Sequence, residues 1–130
     1  MTKPTKEQID GATGEQLSEW VAVWCMGWHP AEVWKDGKIV HTTFTGEFTP
    51  TEPGKYAWRY RDLARLKDSQ PHLPTEKGKA QAIDLAEKYV LTINFGGKYV
   101  YSRRLDKVFP ADKSWQIAVL KACLYAEMER

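Results

Sequence analysis

The amino-acid sequence predicts an α+β domain. Its antiparallel sheet is built from two hairpins and covered by helices, and a three-layer α/β/α sandwich is the fullest form of that arrangement. Three observations carry this expectation. Two short runs rich in β-forming residues each double back across a tight-turn signal, Asp36-Gly37 in one and Gly96-Gly97 in the other. Stretches with helical periodicity stand before, between and after these runs, an order that suits an antiparallel sheet with helices better than a parallel βαβ array. At 130 residues and 42% apolar content, the chain can bury one hydrophobic core without disulfide staples.

Residues 1–12 read as a polar lead with one helical turn over Lys6 to Asp10, and 13–130 as the single domain. Thr13 followed by Gln16 forms a capping box. Leu17, Trp20, Val21 and Trp24, extended by Cys25 and Trp28, then recur at helical spacing up to Gly27, with Pro30 just beyond. The stripe reads as core, with docking on a partner or a second subunit as its other use. Val33-Trp34 and Lys38 to Phe44 flank Asp36-Gly37 as the first hairpin. Thr51, Glu52 and Pro53 suit the first turn of a second helix running to Leu66, with Ala57, Tyr60, Leu63 and Ala64 as its apolar stripe.

Residues 68–75, with Pro71 and Pro74, read as a stiff exposed loop. Thr75 caps a short helix through Ala80, Ile83 and Leu85 to Lys88. The second hairpin joins 90–95 to 98–103 across Gly96-Gly97, whose glycines suit the positive φ angles of a type I′ turn. A two-residue turn sets Asn94 opposite Tyr99, Ile93 opposite Val100 and Thr92 opposite Tyr101. One face then carries Leu91, Ile93, Phe95 and Val100, and belongs to a core. The other carries Thr92, Asn94, Tyr99, Tyr101 and Arg103. Trp115, Ala118, Val119, Ala122, Cys123 and Ala126 form the apolar stripe of the last helix.

Net charge is only +2, so no overall field points to a nucleic acid or a membrane. The distribution is uneven. Lys3 and Lys6 face Glu7, Asp10, Glu15, Glu19 and Glu32 in the first 34 residues, whereas 54–79 hold seven Lys/Arg against Asp62, Asp68 and Glu76. A basic centre is compatible with an anionic partner and equally with solvated helix faces. The polar start, Met1 to Glu7, has no apolar segment behind it, and no run approaches the ~18 apolar residues that span a bilayer. The expectation is a cytoplasmic protein with no membrane partner, whose Cys25 and Cys123 are buried reduced thiols.

The residues point away from catalysis and from cofactors. Cys25 and His29 are separated from a usable helical face by Gly27 and Pro30, and only His41, His72 and Cys123 remain to complete a metal site. No Ser or Cys stands in a nucleophile frame, no carboxylate pair has an apolar shell, and Gly96-Gly97 lies in a hairpin rather than before a helix. Two binding surfaces are legible. On the second hairpin, Asn94, Tyr99, Tyr101 and Arg103 offer stacking rings, an amide and a planar cation, the groups that nucleotide and single-strand binders use. On the second helix, Trp58, Arg61 and Arg65 at i, i+3 and i+7 form a row for an acidic protein or phosphates.

Four segments together resemble a known family. Gly14 to Val21 with Met26-Gly27-Trp28, Phe48 to Thr51 with Ala57-Trp58, the Gly96-Gly97 hairpin with Tyr99 to Tyr101, and Ile117 to Ala126 are similar, in that order, to the phage ABA sandwich domain proteins. The resemblance covers most of the chain in outline and rests on packing motifs. The longer 67–80 stretch and the heavier load of Trp and Arg depart from the pattern. It implies a sandwich fold, a bacteriophage origin and residence in the cytoplasm of an infected bacterium. By analogy with other small phage proteins it implies a non-enzymatic counter-defence inhibitor that binds or sequesters a host immune protein complex or a nucleotide signal. A nucleic-acid-binding accessory module using the basic centre and a small hydrolase with an unrecognised site are the competing functions, and self-association stays open.

Overall fold

The computed structural model describes residues 3–28, 31–35, 38–43, 56–59 and 69–129, the three middle stretches by their backbone. In chain order the elements are α1 (Lys6–Gly11), α2 (Gly14–Trp24), β1 (Ala31–Lys35), β2 (Lys38–Thr43), β3 (Tyr56–Arg59), α3 (Glu76–Lys88), β4 (Leu91–Asn94), β5 (Tyr99–Ser102), β6 (Lys107–Pro110) and α4 (Trp115–Met128). Each described helix starts on a hydroxyl. Thr5, Thr13, Thr75 and Ser114 accept from the backbone N–H of Gln8, Gln16, Gly78 and Ile117, and Gln8 and Gln16 close reciprocal capping boxes. These side chains satisfy N–H groups that the helix itself leaves orphaned.

The α+β class stands, but its plan is corrected: the two hairpins do not share a sheet. Among the described residues each gains a third strand, giving two antiparallel sheets of order β2-β1-β3 and β4-β5-β6. In the first, Lys35 pairs with Lys38 across Asp36-Gly37, as the turn signal predicts. Val33 opposes His41 while Trp34 opposes Ile39, so Val40 is the extra residue of a bulge. The helix predicted from Thr51 to Leu66 is overturned over 56–59, which form β3 and pair with β1 from Glu32↔Arg59 to Lys35↔Tyr56. Tyr and Trp are strand formers, and β1 has a second row of backbone donors and acceptors that needs partners, so tertiary pairing overrides the local helical pattern. Trp58 therefore lies in a strand and cannot share a helical row with Arg61 and Arg65, both of which lie outside the described residues.

In the second sheet the register matches the expectation from Leu91↔Ser102 to Asn94↔Tyr99. The turn does not. It spans Phe95 to Lys98, and the left-handed conformation belongs to Lys98 (φ 54°) rather than to the glycines. Asn94 Oδ1 accepts from the Gly97 N–H at 2.6 Å and holds the bend. The β5–β6 turn repeats the device: Ser102 Oγ accepts from the Leu105 N–H at 3.3 Å and Asp106 takes φ 49°. Phe95 is thereby moved off the core face, is 64% exposed, and meets Trp115 edge-on at 5.6 Å.

The last helix is the hub. α4 packs against α1, α2, α3 and all three strands of the second sheet. The predicted stripe, Ala118 to Ala126, is buried, but so are Leu120, Leu124 and Tyr125 on its other sides. Leu17, Val21 and Cys25 of α2, Ile9 of α1 and Leu85 of α3 complete the core with Val100 and Phe109. Trp20 and Trp24 pack against it only partly buried, so the predicted stripe enters the core through Leu17, Val21 and Cys25 while its tryptophans lie at the margin. On α3 the buried set is Gly78, Ala82, Leu85 and Ala86, whereas Ala80 and Ile83 of the predicted stripe face solvent.

The loop predicted at 68–75 is a loop over its described part, with Pro74 and Thr75 exposed, but its exposure is corrected at Ser69 and Pro71, which are buried. Gln116 of α4, itself buried, donates through Nε2 to the carbonyls of Pro71 (2.9 Å) and Leu73 (2.7 Å). The Ser69 hydroxyl donates to the Ser18 carbonyl at 3.0 Å, and the Gln70 N–H donates to Gln81 Oε1 at 2.7 Å. Loop backbone that is buried must find partners, and here α3 and α4 supply them, while the Ser69 side chain ties the loop to α2.

Candidate binding site

Helices cover one face of the β4-β5-β6 sheet. Leu91, Ile93, Val100 and Phe109 point into the core on that side. Strand alternation sends Thr92, Asn94, Tyr99, Tyr101, Val108 and Pro110 to the other face. There Thr92 and Pro110 are exposed and Val108 is 51% exposed, so among the described residues no third layer forms over this sheet. Two tyrosines two positions apart on the central strand thus stand side by side, half-exposed, on an open face.

Each ring is oriented by a neighbour. The Asn94 amide donates to the Tyr99 hydroxyl at 3.0 Å while its oxygen holds the turn, so one side chain couples turn geometry to ring position. Gly97 lies against the same ring: a Cβ there would stand 2.7 Å from Tyr99 Cε1. The Tyr101 hydroxyl donates to Asp106 Oδ1 at 2.6 Å. That bond, with some desolvation and the Asp106 charge, raises the phenol above its usual range, and nearby Arg103 opposes the rise. Tyr101 therefore stays a neutral ring with its hydroxyl turned toward Asp106.

The structure brings Asn94, Tyr99 and Tyr101 together. It sets Arg103 apart, in the exposed turn after β5, close enough for its charge to reach Tyr101 but outside the strand alternation. Val108 and Pro110 complete the face and were missed, because a four-residue strand bounded by Lys107 and Pro110 carries little periodic signal. The free edge of β6 is blunted. The Ala111 N–H bonds the Lys98 carbonyl at 2.8 Å, and ladder alternation from there turns Val108 and Pro110 outward. Proline has no N–H, so strand addition at this edge finds a single donor.

No match to this chain is found among protein-family models, curated proteins or solved structures.

One further polar cluster was not visible in the sequence. Ser18 Oγ and His72 Nδ1 share a 2.5 Å hydrogen bond between α2 and the 69–75 loop. Burial lowers the His72 pKa, against a smaller opposing effect of Glu15. The hydroxyl is as buried as the core, at 1% exposure, so the pair links loop to helix rather than presenting a nucleophile. Deeper still, Tyr89 donates to the Glu127 carboxylate, and burial pushes both the Tyr89 phenol and the Cys123 thiol upward. Cys25 and Cys123 are both buried. Among the described residues no three His, Cys, Asp or Glu side chains gather as metal ligands, and His29 lies outside those residues. No helix among them is long and apolar enough to cross a membrane.

Proposed function

We propose that this chain is a non-enzymatic binding protein and that the open face of β4-β5-β6, centred on Tyr99 and Tyr101, is its contact surface. The observation that carries this reading is the pairing of the two rings on the uncovered side of a rigid sheet, each held by its own hydrogen bond. Amphipathic aromatics of this kind supply large contact area at small entropic cost and dominate binding hot spots. Rings at alternate strand positions lie about 7 Å apart, a spacing that admits planar groups as well as a protein side-chain cluster.

The role of a phage counter-defence inhibitor, acting on a host protein complex or a nucleotide signal in the bacterial cytoplasm, rests on the sequence resemblance alone. The test is capture from bacterial lysate with the tagged protein and with a Tyr99→Ala/Tyr101→Ala variant, followed by mass spectrometry of protein and small-molecule fractions. The expected result is a stoichiometric partner retained by the first and lost by the second. Recovery of no such partner, or equal recovery by both, would overturn the proposal. Binding that collapses between low and moderate salt would mark the partner as nucleic acid.

A further inference from the structure

A cleft of about 400 Å³ lies between α1, α4 and β6, lined in part by Lys107, Lys113 and Lys121. The three come from the start of β6, the turn before α4 and α4 itself, so the fold rather than a local run gathers them. Asp10 and Asp112 line the cleft as well, so its ammonium groups outnumber its carboxylates by one, and the Glu129 charge reaches Lys107. Of the carboxylates lining the cleft, Asp10 accepts the Tyr125 hydroxyl at 2.7 Å. Lys121 reaches the backbone oxygen of Asp10 at 3.3 Å, not its carboxylate. Among the described residues none of the three forms an ion pair, whereas Lys6 nearby is joined to Glu129 at 2.5 Å. The Lys107 ammonium stands 4.4 Å from the Tyr125 ring centre and 5.3 Å from that of Phe109, which holds the cation over the cleft floor. Val108, Pro110 and Ile117 give the cleft an apolar wall.

Three ammonium groups against two carboxylates, beside an apolar wall, suit a ligand with anionic oxygens and a body that gains by leaving water. Lysine binds phosphate as a point charge, and the volume lies within the roughly 300–1,000 Å³ of small-molecule sites. We propose that this cleft binds a small phosphate-bearing molecule. Its phosphates lie among Lys107, Lys113 and Lys121, and its apolar or aromatic body lies against Val108, Pro110 and Ile117. Tyr99 and Tyr101 do not line the cleft, although its wall shares Val108 and Pro110 with their face of the sheet.

Titration calorimetry with ADP and with adenosine tests this, alongside amide chemical-shift mapping of the labelled protein. Saturable ADP binding is expected, with adenosine at least about tenfold weaker because it lacks the charged groups. Lys113→Ala and Lys121→Ala each weaken ADP about tenfold, and the shifts concentrate in 107–125. Both lysines lie outside the core, so melting temperatures close to that of the parent confirm that the variants fold. The Lys79→Ala variant, on α3 and outside the cleft lining, keeps the parent affinity. Absence of saturable ADP binding at millimolar concentration, adenosine binding as tightly as ADP, or unchanged affinity in both cleft-lysine variants would each overturn the site. So would an equal loss of ADP binding in Lys79→Ala, which would mark the attraction as one of net charge rather than of this cleft.

Discussion

Replacing Gly78 by Ala is expected to destabilise the protein, although a glycine inside a helix ordinarily costs about 1 kcal/mol relative to alanine. A Cβ at this position would stand 2.2 Å from the Leu73 carbonyl oxygen and 2.4 Å from that of Gln70. Both are backbone atoms and cannot swing aside as a side-chain tip could. Ordinary contact would need the loop to retreat by about 1 Å. That retreat strains the Gln116 bonds to Pro71 and Leu73, at 2.9 and 2.7 Å, and the Gln70 bond to Gln81, at 2.7 Å. With a buried hydrogen bond worth about 1 kcal/mol, and more where a carbonyl is left without a donor, the loss is about 3–4 kcal/mol. Subtracting the gain in helix propensity leaves a net loss of about 2–3 kcal/mol, or roughly 10 °C in Tm for a domain of this size. Gly11, at the end of α1, is the control, since a Cβ there meets nothing within 4 Å. Gly11→Ala should be neutral or stabilising by up to about 1 kcal/mol. Urea and thermal denaturation of the two variants decide the matter. A Gly78→Ala protein as stable as the parent would refute the account of the 69–75 loop as anchored backbone.

Gln116→Leu preserves volume but leaves the Pro71 and Leu73 carbonyls without a donor, so a loss of about 2–3 kcal/mol is expected in urea titrations. A change under half a kcal/mol would show that water or the loop compensates. Burial lowers the folded-state pKa of His72, so the unfolded chain takes up this proton first. Its stabilisation is complete above the unfolded value of about 6.5 and is lost as the pH falls through that value toward the lower folded one. Melting curves between pH 7.5 and 5.5 should therefore slope less in His72→Asn than in the parent, and parallel slopes would contradict the assignment. Tyr89→Phe removes a hydroxyl from the buried Glu127 carboxylate and should cost about 1–3 kcal/mol. An unchanged midpoint in a denaturant series would mean that the other contacts of Glu127 suffice.

What the sequence disclosed depended on how local the determinant is. Capping boxes at Thr13 and hydroxyl caps at Thr75 involve residues three apart, and both helices start there. The second hairpin kept its predicted register because side-chain alternation leaves one pairing that buries Ile93 and Val100 together. Its turn type escaped, since the Asn94 side chain rather than the glycines decides which residue turns left-handed. β3 escaped because its partner, β1, lies more than twenty residues earlier, beyond any local pattern. The burial of Pro71 rests on Gln116, equally remote, whereas its neighbours Ser, Gln and His have the composition of a solvated loop. Asn94, Tyr99 and Tyr101 were legible as a face through alternation alone. Whether anything covers that face is a question of layers, and only the structure places the helices on the opposite side.

The central position of α4 has a kinetic consequence. Ribosomes deliver α1, α2, α3 and the β4-β5-β6 meander before the helix against which all of them pack. Until residue 128 has left the exit tunnel, Leu17, Val21, Leu85, Val100 and Phe109 have no common partner, and their apolar surfaces stay in water. The meander can form early, since its pairings close loops of four residues. Consolidation of the core waits for the last helix. Nascent chains stalled before residue 115 should therefore be open to protease and to chaperones, and chains in which residue 128 has emerged should close cooperatively.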